Sequence, residues 1–248
     1  MTNNKDYSEA FLAHRVADIG LLNAVISNLQ LNKKMQLLDF GCGTGNYLLA
    51  LQEKGYSNLS ALDKDDNMIN IATARTKINV KKGSHLNIPF SNNSFDSVML
   101  IAMIHFIDDL ECLFRNLNNV CKKDGRIVIV TQSYQQIDNR FYNRYFPSLA
   151  KIDKQRYHEP QNIISFAEKC GFLLKSIQDY SSGTDMIVDE SYYNLIKNKS
   201  FYVLRLLPDD EFINGMVFFE QELKQHAGKF VAPFAGWTLI TLQKSGEI

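Results

Sequence analysis

Apolar positions recur along this chain with two different periods. Over residues 8–30, Phe11, Leu12, Val16, Ile19, Leu22, Val25, Ile26 and Leu29 fall three or four apart, which is the spacing of one helix face. Met35-Gln36-Leu37-Leu38-Asp39-Phe40 then reads as a buried strand that runs into a glycine-rich loop. Asn46 to Lys54 is helical in pattern, with Gly55 as its stop. The same unit repeats. Leu59–Asp63 predicts a second strand, Asp65 or Asp66 caps a helix to about Lys77, and Ile78–Lys82 predicts a third strand. Ser97–Ala102 predicts a fourth strand, Asp108–Lys122 a helix, Asp124-Gly125 a turn, and Arg126–Thr131 a fifth strand.

Strand and helix alternate over 35–131, which predicts an α/β chain with a parallel sheet covered by helices on both faces. The rhythm changes after Thr131. Residues 135–158 are rich in Tyr, Phe and Arg and hold no clear strand. Pro160–Cys170 predicts a helix closed by Gly171, Phe172–Tyr180 a strand, 189–226 helices broken near Pro208, and Trp237–Gln243 a last strand. Residues 132–158 and 182–232 therefore read as insertions that build a helical cap within a single domain spanning 1–248.

Composition narrows the chemistry. Lysine plus arginine (27) equals aspartate plus glutamate (27), so the net charge is zero, and a polyanion binder with its basic excess is disfavoured. Cys42, Cys112, Cys121 and Cys170 form no CxxC pair, which argues against a zinc site or a disulfide framework, and no bound metal is expected. There is no leader-like apolar stretch at the start and no apolar run of about 18 residues. The expected location is cytoplasmic, without membrane insertion, as a monomer or homodimer.

The loop Asp39-Phe40-Gly41-Cys42-Gly43-Thr44-Gly45 lies between strand and helix, where open α/β sheets bind ligands. Its glycines are spaced GxGxG. Asn46 occupies the place where the dinucleotide fingerprint GxGxxG needs its last glycine, and the P-loop GxxxxGK[ST] is absent. Asp63 ends the second strand, 18 residues after Gly45, where a carboxylate can accept hydrogen bonds from both hydroxyls of a ribose.

Leu38–Gly45 resembles motif I of the class I S-adenosylmethionine (SAM)-dependent methyltransferases. The segment Asn87-Ile88-Pro89-Phe90-Ser91-Asn92-Asn93-Ser94-Phe95-Asp96-Ser97-Val98 is similar to the "LPF…FD-V" segment of the type 11 branch, which includes ubiquinone/menaquinone-type and other small-molecule enzymes. The resemblance covers roughly residues 35–180 and the last strand. It implies a Rossmann-like, seven-stranded, mostly parallel sheet, with SAM as cofactor and S-adenosyl-L-homocysteine as product. Gly41, Gly43 and Gly45 would pass under the methionine part, with Cys42 also a cofactor-binding candidate, Asp39 near the amino end and Asp63 on the ribose. Lys64 or Met68 would flank the adenine. Ser84 and His85 stand where the family often has Asp-Ala, and Ser84 is a weaker acceptor for the adenine amine than a carboxylate. Ile101 would touch the sulfonium region through its backbone, and Tyr7 and His14 are candidates for a lid over the cofactor.

His105, just after the fourth strand, reads either as a general base or as a packing residue. Arg140, Phe141, Tyr142, Arg144, Tyr145 and Phe146 read either as an aromatic wall for an apolar or anionic substrate or as an amphipathic helix with solvated arginines. Tyr142, Arg144 and Tyr145, together with His158, are the substrate candidates. The expected activity is methyl transfer to a small molecule by in-line displacement. The rivals are a methyltransferase acting on protein or nucleic acid, and a SAM-binding protein without catalysis. No Asn/Asp-Pro-Pro-aromatic motif follows the fourth strand, which reads Ile101-Ala102-Met103-Ile104.

Overall fold

The computed structural model of the 248-residue chain describes residues 16–181 and 185–246. Helix α1 (Ile19–Leu29) begins where the Asp18 carboxylate accepts from Leu21 N at 2.9 Å, and it buries Leu21, Leu22, Val25 and Leu29. Val16, assigned above to the helical face, precedes this cap and is 90% exposed. β1 (Leu37–Phe40) is buried throughout and α2 (Asn46–Glu53) follows the glycine loop. β2 (Leu59–Asp63) leads to α3 (Asp66–Thr76), whose cap is Asp65, accepting from the amides of Asn67 and Met68. β3 is only Lys81–Lys82, shorter than the expected 78–82, because Ile78 and Val80 pack with Leu48, Ala61 and Ala72 rather than extend the ladder.

β4 (Phe95–Ile101) and α4 (Leu110–Val120, capped by Asp109) follow. β5 spans Cys121–Thr131, so the helix ends earlier and the strand starts earlier than the pattern predicts. The Asp124-Gly125 signal is a bulge inside the strand rather than a turn before it. Asp124 takes φ +60°, the pairing with β4 shifts between Phe95 and Ser97, and a side chain at Gly125 would meet Lys122 O at 2.8 Å. Next come α5 (Tyr134–Asp138), α6 (Leu149–Lys154), α7 (Pro160–Lys169) and β6 (Phe172–Tyr180). The chain continues through β7 (Met186–Val188), α8 (Glu190–Lys197), α9 (Asp209–Gln225), β8 (Phe230–Ala232) and β9 (Trp237–Lys244).

These elements form two compact units. The first comprises Val16–Thr131, His158–Tyr180 and Thr238–Ile248. It holds a seven-stranded sheet in the order β3-β2-β1-β4-β5-β9-β6. The pairs from β3 through β5 are parallel, and β9 runs antiparallel to β5. The sheet is thus Rossmann-like and mostly parallel, as the resemblance implies. β1, β4 and β5 are near-continuous apolar runs because helices cover both their faces. One core joins Val98, Leu100, Ile127 and Ile129 of the sheet to Leu113, Phe114 and Leu117 of α4 and to Ile163 and Ala167 of α7.

The second unit gathers Gln132–Tyr157 and Ser181–Trp237. It has its own core, with Phe141, Phe146, Leu204, Phe219 and Phe230 buried together. Its two-stranded antiparallel β7–β8 sheet pairs Ile187 with Val231 and was not anticipated. Gly215 lets α9 approach closely: a Cβ there would lie 2.3 Å from Phe146 Cε1 and 2.5 Å from Tyr145 O. Arg140 is buried in an ion pair with Asp153 and donates from Nε to Gln132 Oε1 at 3.0 Å, while Arg156 donates to the same Asp153 at 2.6 Å. Among the described residues no helix is long and apolar enough to cross a membrane.

Candidate active site

The carboxyl ends of β1, β2 and β4 converge on the glycine loop. Gly41 (φ +74°), Gly43 (+54°) and Gly45 (+79°) all take left-handed backbone, which is why glycine recurs at this spacing. The amides of Gly41 and Cys42 donate to Leu62 O at 2.9 and 3.1 Å, tying the loop to β2. The three glycines then differ in what surrounds them. A Cβ at Gly41 would meet the Met103 side chain at 3.0–3.3 Å, and one at Gly45 would meet Thr76 Cγ2 at 2.9 Å. A Cβ at Gly43 would meet nothing within 4 Å. Gly45 therefore serves packing against α3, while Gly43 borders open space. Arg75 supports the far side of the loop, donating to Thr44 O at 2.7 Å and to Asn46 Oδ1 at 2.6 Å.

Two carboxylates face this loop in opposite circumstances. Asp63 accepts from Gly43 N at 2.8 Å and from Asp65 N at 3.0 Å, one bond on each oxygen, so each keeps a lone pair for a ligand. Asp39 is only 3% exposed and its carboxylate has no hydrogen-bond partner among the described residues. Burial first, and the nearby Asp63 charge second, push its pKa up to about 8. A buried acid of this kind is relieved by a cation. Those features fit SAM: a cationic amino end for Asp39, a diol for Asp63, and unobstructed backbone at Gly43.

The remaining candidates lie around the same edge. Ile101 ends β4, and the next residue, Ala102, holds φ +51° with its amide bonded to Val130 O at 3.0 Å. A non-glycine residue in left-handed backbone at the end of a central strand marks a spot where the chain is bent under constraint. His105 lies in the 3₁₀ turn Ile104–Phe106, its ring 4.2 Å from that of Phe106, and Lys64 Nζ stands 5.7 Å from the Phe106 ring centroid. Met68 is in the first turn of α3, its amide held by Asp65. Ser84 Oγ accepts from Leu86 N at 3.2 Å. His85 Nε2 is 3.1 Å from Asp108 Oδ1, and its carbonyl accepts from Asn116 Nδ2 at 2.7 Å.

Cys42 is no nucleophile. Burial and the charges of Asp39 and Asp63 hold its thiol far above the usual range. Tyr7 and His14 lie outside the described residues. Tyr142, Arg144 and Tyr145 lie together in the insertion unit, whereas His158 belongs to the sheet unit and bonds Ile107 O through Nε2 at 2.7 Å. Tyr142 stacks on Phe201 at 6.2 Å. Tyr145 donates to Glu222 at 2.5 Å, and Arg144 pairs with the same carboxylate at 2.5 Å. Sequence reasoning missed Met103 against Gly41, Arg75 behind the loop and Asp108 beside His85. Of these only Asp108 carried a local signal, as an acidic residue just before a helix.

Residues 38–129 match the family described as "Methyltransferase domain". A demethylmenaquinone methyltransferase of Staphylococcus haemolyticus is 24% identical over 187 residues, which is 71% of this chain and 76% of the relative. Among solved structures, a putative methyltransferase from an antibiotic biosynthesis pathway of Anabaena variabilis superposes with a TM-score of 0.72 at 21% identity, over 92% of this chain and 98% of that one. Geranyl diphosphate C-methyltransferase from Streptomyces coelicolor, solved with S-adenosyl-L-homocysteine, has a TM-score of 0.59 at 13% identity, over 92% and 77% of the two chains. These two structures share the fold.

Proposed function

We propose that this chain is a SAM-dependent methyltransferase that methylates a small molecule by in-line displacement, a reading supported by the match of residues 38–129 to the methyltransferase-domain family and by the similarity to a demethylmenaquinone methyltransferase. The observation that carries the reading is the makeup of the insertion unit. It is rich in aromatic side chains, packed around a core that includes Phe141, Tyr145, Phe219 and Phe230, and the chain as a whole has no basic excess. Small ligands are taken up by apolar, aromatic surroundings with few polar groups, whereas nucleic acid requires surplus cations. The relative named for demethylmenaquinone and the structural neighbour named for geranyl diphosphate are both named for small molecules.

SAM supplies an electrophilic methyl group on a sulfonium. The chain's part is to hold and align. Asp39 offers the negative charge for the amino end, Asp63 the acceptors for the ribose, and the Gly41–Gly45 backbone a surface without side chains. Cys42 borders the same stretch. Lys64, Met68, Ser84 and His85 serve the adenine end, and Ile101 the sulfonium end. With SAM bound, these residues would present its methyl group to the acceptor atom along the sulfur–methyl axis. A hydroxyl or ammonium acceptor must also lose a proton, and His105 in the 3₁₀ turn after β4 is the proposed base. Tyr142, Arg144, Tyr145 and His158 are the proposed acceptor contacts. Incubation with methyl-labelled SAM and a metabolite extract tests this reading. Label in low-molecular-weight products supports it, and label confined to protein or nucleic acid refutes it.

A further inference from the structure

A second concavity of about 550 Å³ opens on the sheet-bearing unit, where the last turn of α1 meets β5, β6 and β9. Ser27, Gln30, Arg126, Lys175, Ser176 and Gln178 are among its walls, and no acidic residue lines it among the described residues. It is well separated from the glycine loop. Arg126 is in register with Ser97, and Ser97 with Leu37, four residues before Gly41. At about 3.3 Å per residue, that places it roughly 13 Å down the strands from the cofactor edge.

The walls are held in place by Asn28. Its Oδ1 accepts from Ser176 Oγ at 3.2 Å and from Thr241 Oγ1 at 3.0 Å, and its Nδ2 donates to Ala24 O at 2.9 Å. Its carbonyl accepts from Arg126 Nη1 at 3.1 Å. That single bond answers the partial negative charge at the end of α1 and occupies one of the five guanidinium N–H groups. No carboxylate lies within ion-pair distance of Arg126 or Lys175 among the described residues, although Lys and Arg elsewhere in the molecule form pairs such as Lys122–Asp96 and Lys82–Asp66. A half-buried guanidinium with N–H groups to spare, beside the Lys175 ammonium and with no carboxylate at ion-pair distance among the described residues, has the charge-assisted donors an oxyanion needs.

We infer that this hollow binds the phosphate or carboxylate group of a small anionic molecule through Arg126 and Lys175, at a site separate from methyl transfer. Calorimetric titration of the full chain tests this, with S-adenosyl-L-homocysteine saturating the cofactor site and ionic strength held constant. Inorganic pyrophosphate is the probe in one arm and citrate in the other, which distinguishes a phosphate from a carboxylate ligand. Saturable one-site binding of at least one probe is expected. Arg126→Gln should weaken it about tenfold, the loss of one charge-assisted contact, and the double variant Arg126→Gln/Lys175→Gln should abolish it. The affinity for S-adenosyl-L-homocysteine should stay unchanged in every variant. Lys175→Gln alone changes an exposed residue and keeps the test open should the Arg126 variants misfold; it too should weaken binding. The absence of saturable heat from both probes, or equal affinity in wild type and the substituted proteins, overturns the inference.

Discussion

Asp39→Asn isolates the electrostatics of the cofactor site. Folding moves the Asp39 carboxyl out of water and beside Asp63, raising its pKa from 3.8 to about 8. The folded protein thus keeps a proton that the unfolded chain gives up. Below about pH 3.8 both states are protonated and Asp39 costs nothing. Between there and about pH 8 the unfolded chain ionises alone, and stability falls as pH rises. Above about pH 8 the penalty is constant. At 1.36 kcal/mol per pKa unit, its ceiling is about 6 kcal/mol, less whatever local relaxation and water recover. Even about 2 kcal/mol corresponds to roughly 4–8 °C in Tm for a chain of this size. Thermal unfolding of the ligand-free wild type and of Asp39→Asn, followed from about pH 5 to pH 9, reads this slope. The variant should gain on the wild type steadily until about pH 8 and then run parallel to it. Asparagine adds only a pH-independent offset, so the slope carries the test. A cationic amino end at Asp39 also makes SAM binding release a proton near neutrality, so wild-type affinity should rise with pH over that range while the variant's stays flat. Parallel stability profiles at all pH values would show that Asp39 ionises as it does in water, and the argument would fail.

Three further substitutions probe the loop and the second core. Gly43→Ala places a methyl in open space at φ +54° and should cost about 1–2 kcal/mol of stability, with a loss of SAM affinity measured by calorimetry that exceeds what the unfolding shift explains. Gly45→Ala places its methyl 2.9 Å from Thr76 and should lower Tm more than Gly43→Ala does. Similar Tm and affinity losses for the two would deny Gly43 its special place. Arg140→Met leaves Asp153, which is buried, with Arg156 as its remaining cationic partner, and should cost about 3–5 kcal/mol in denaturant unfolding; a loss under about 1 kcal/mol would show that the pair is hydrated.

What could be read from sequence was local. Asp65 capping α3 works through amides two or three residues away, and the apolar runs of β1, β4 and β5 record burial on both faces. Where distant contacts decide, reading failed. Asp124-Gly125 has turn chemistry, yet the pairing of Phe95 with Cys121 holds the chain in the sheet and turns the signal into a bulge. The β7–β8 pair joins two three-residue strands more than forty residues apart in sequence, too short for any period to show. The Arg140–Asp153–Arg156 cluster likewise depends on a fold that buries charges which composition alone assigns to solvent.

The cofactor site shows the same division within a few residues. The glycine spacing and Asp63 were legible because backbone conformation and strand ends leave marks in sequence. The contrast between Asp39 and Asp63 was not, because both are simply acids at the ends of strands. The fold gives Asp63 two amide donors and gives Asp39 none. Asp63 therefore braces the loop through those two bonds, while Asp39 resists ionisation until a positive charge arrives. When the environments of neighbouring acids are forced apart in this way, their tasks separate with them. Asp63 shapes the loop before any ligand is present, and on the proposed reading the buried Asp39 would make the loop favour a cation over a neutral ligand of the same shape.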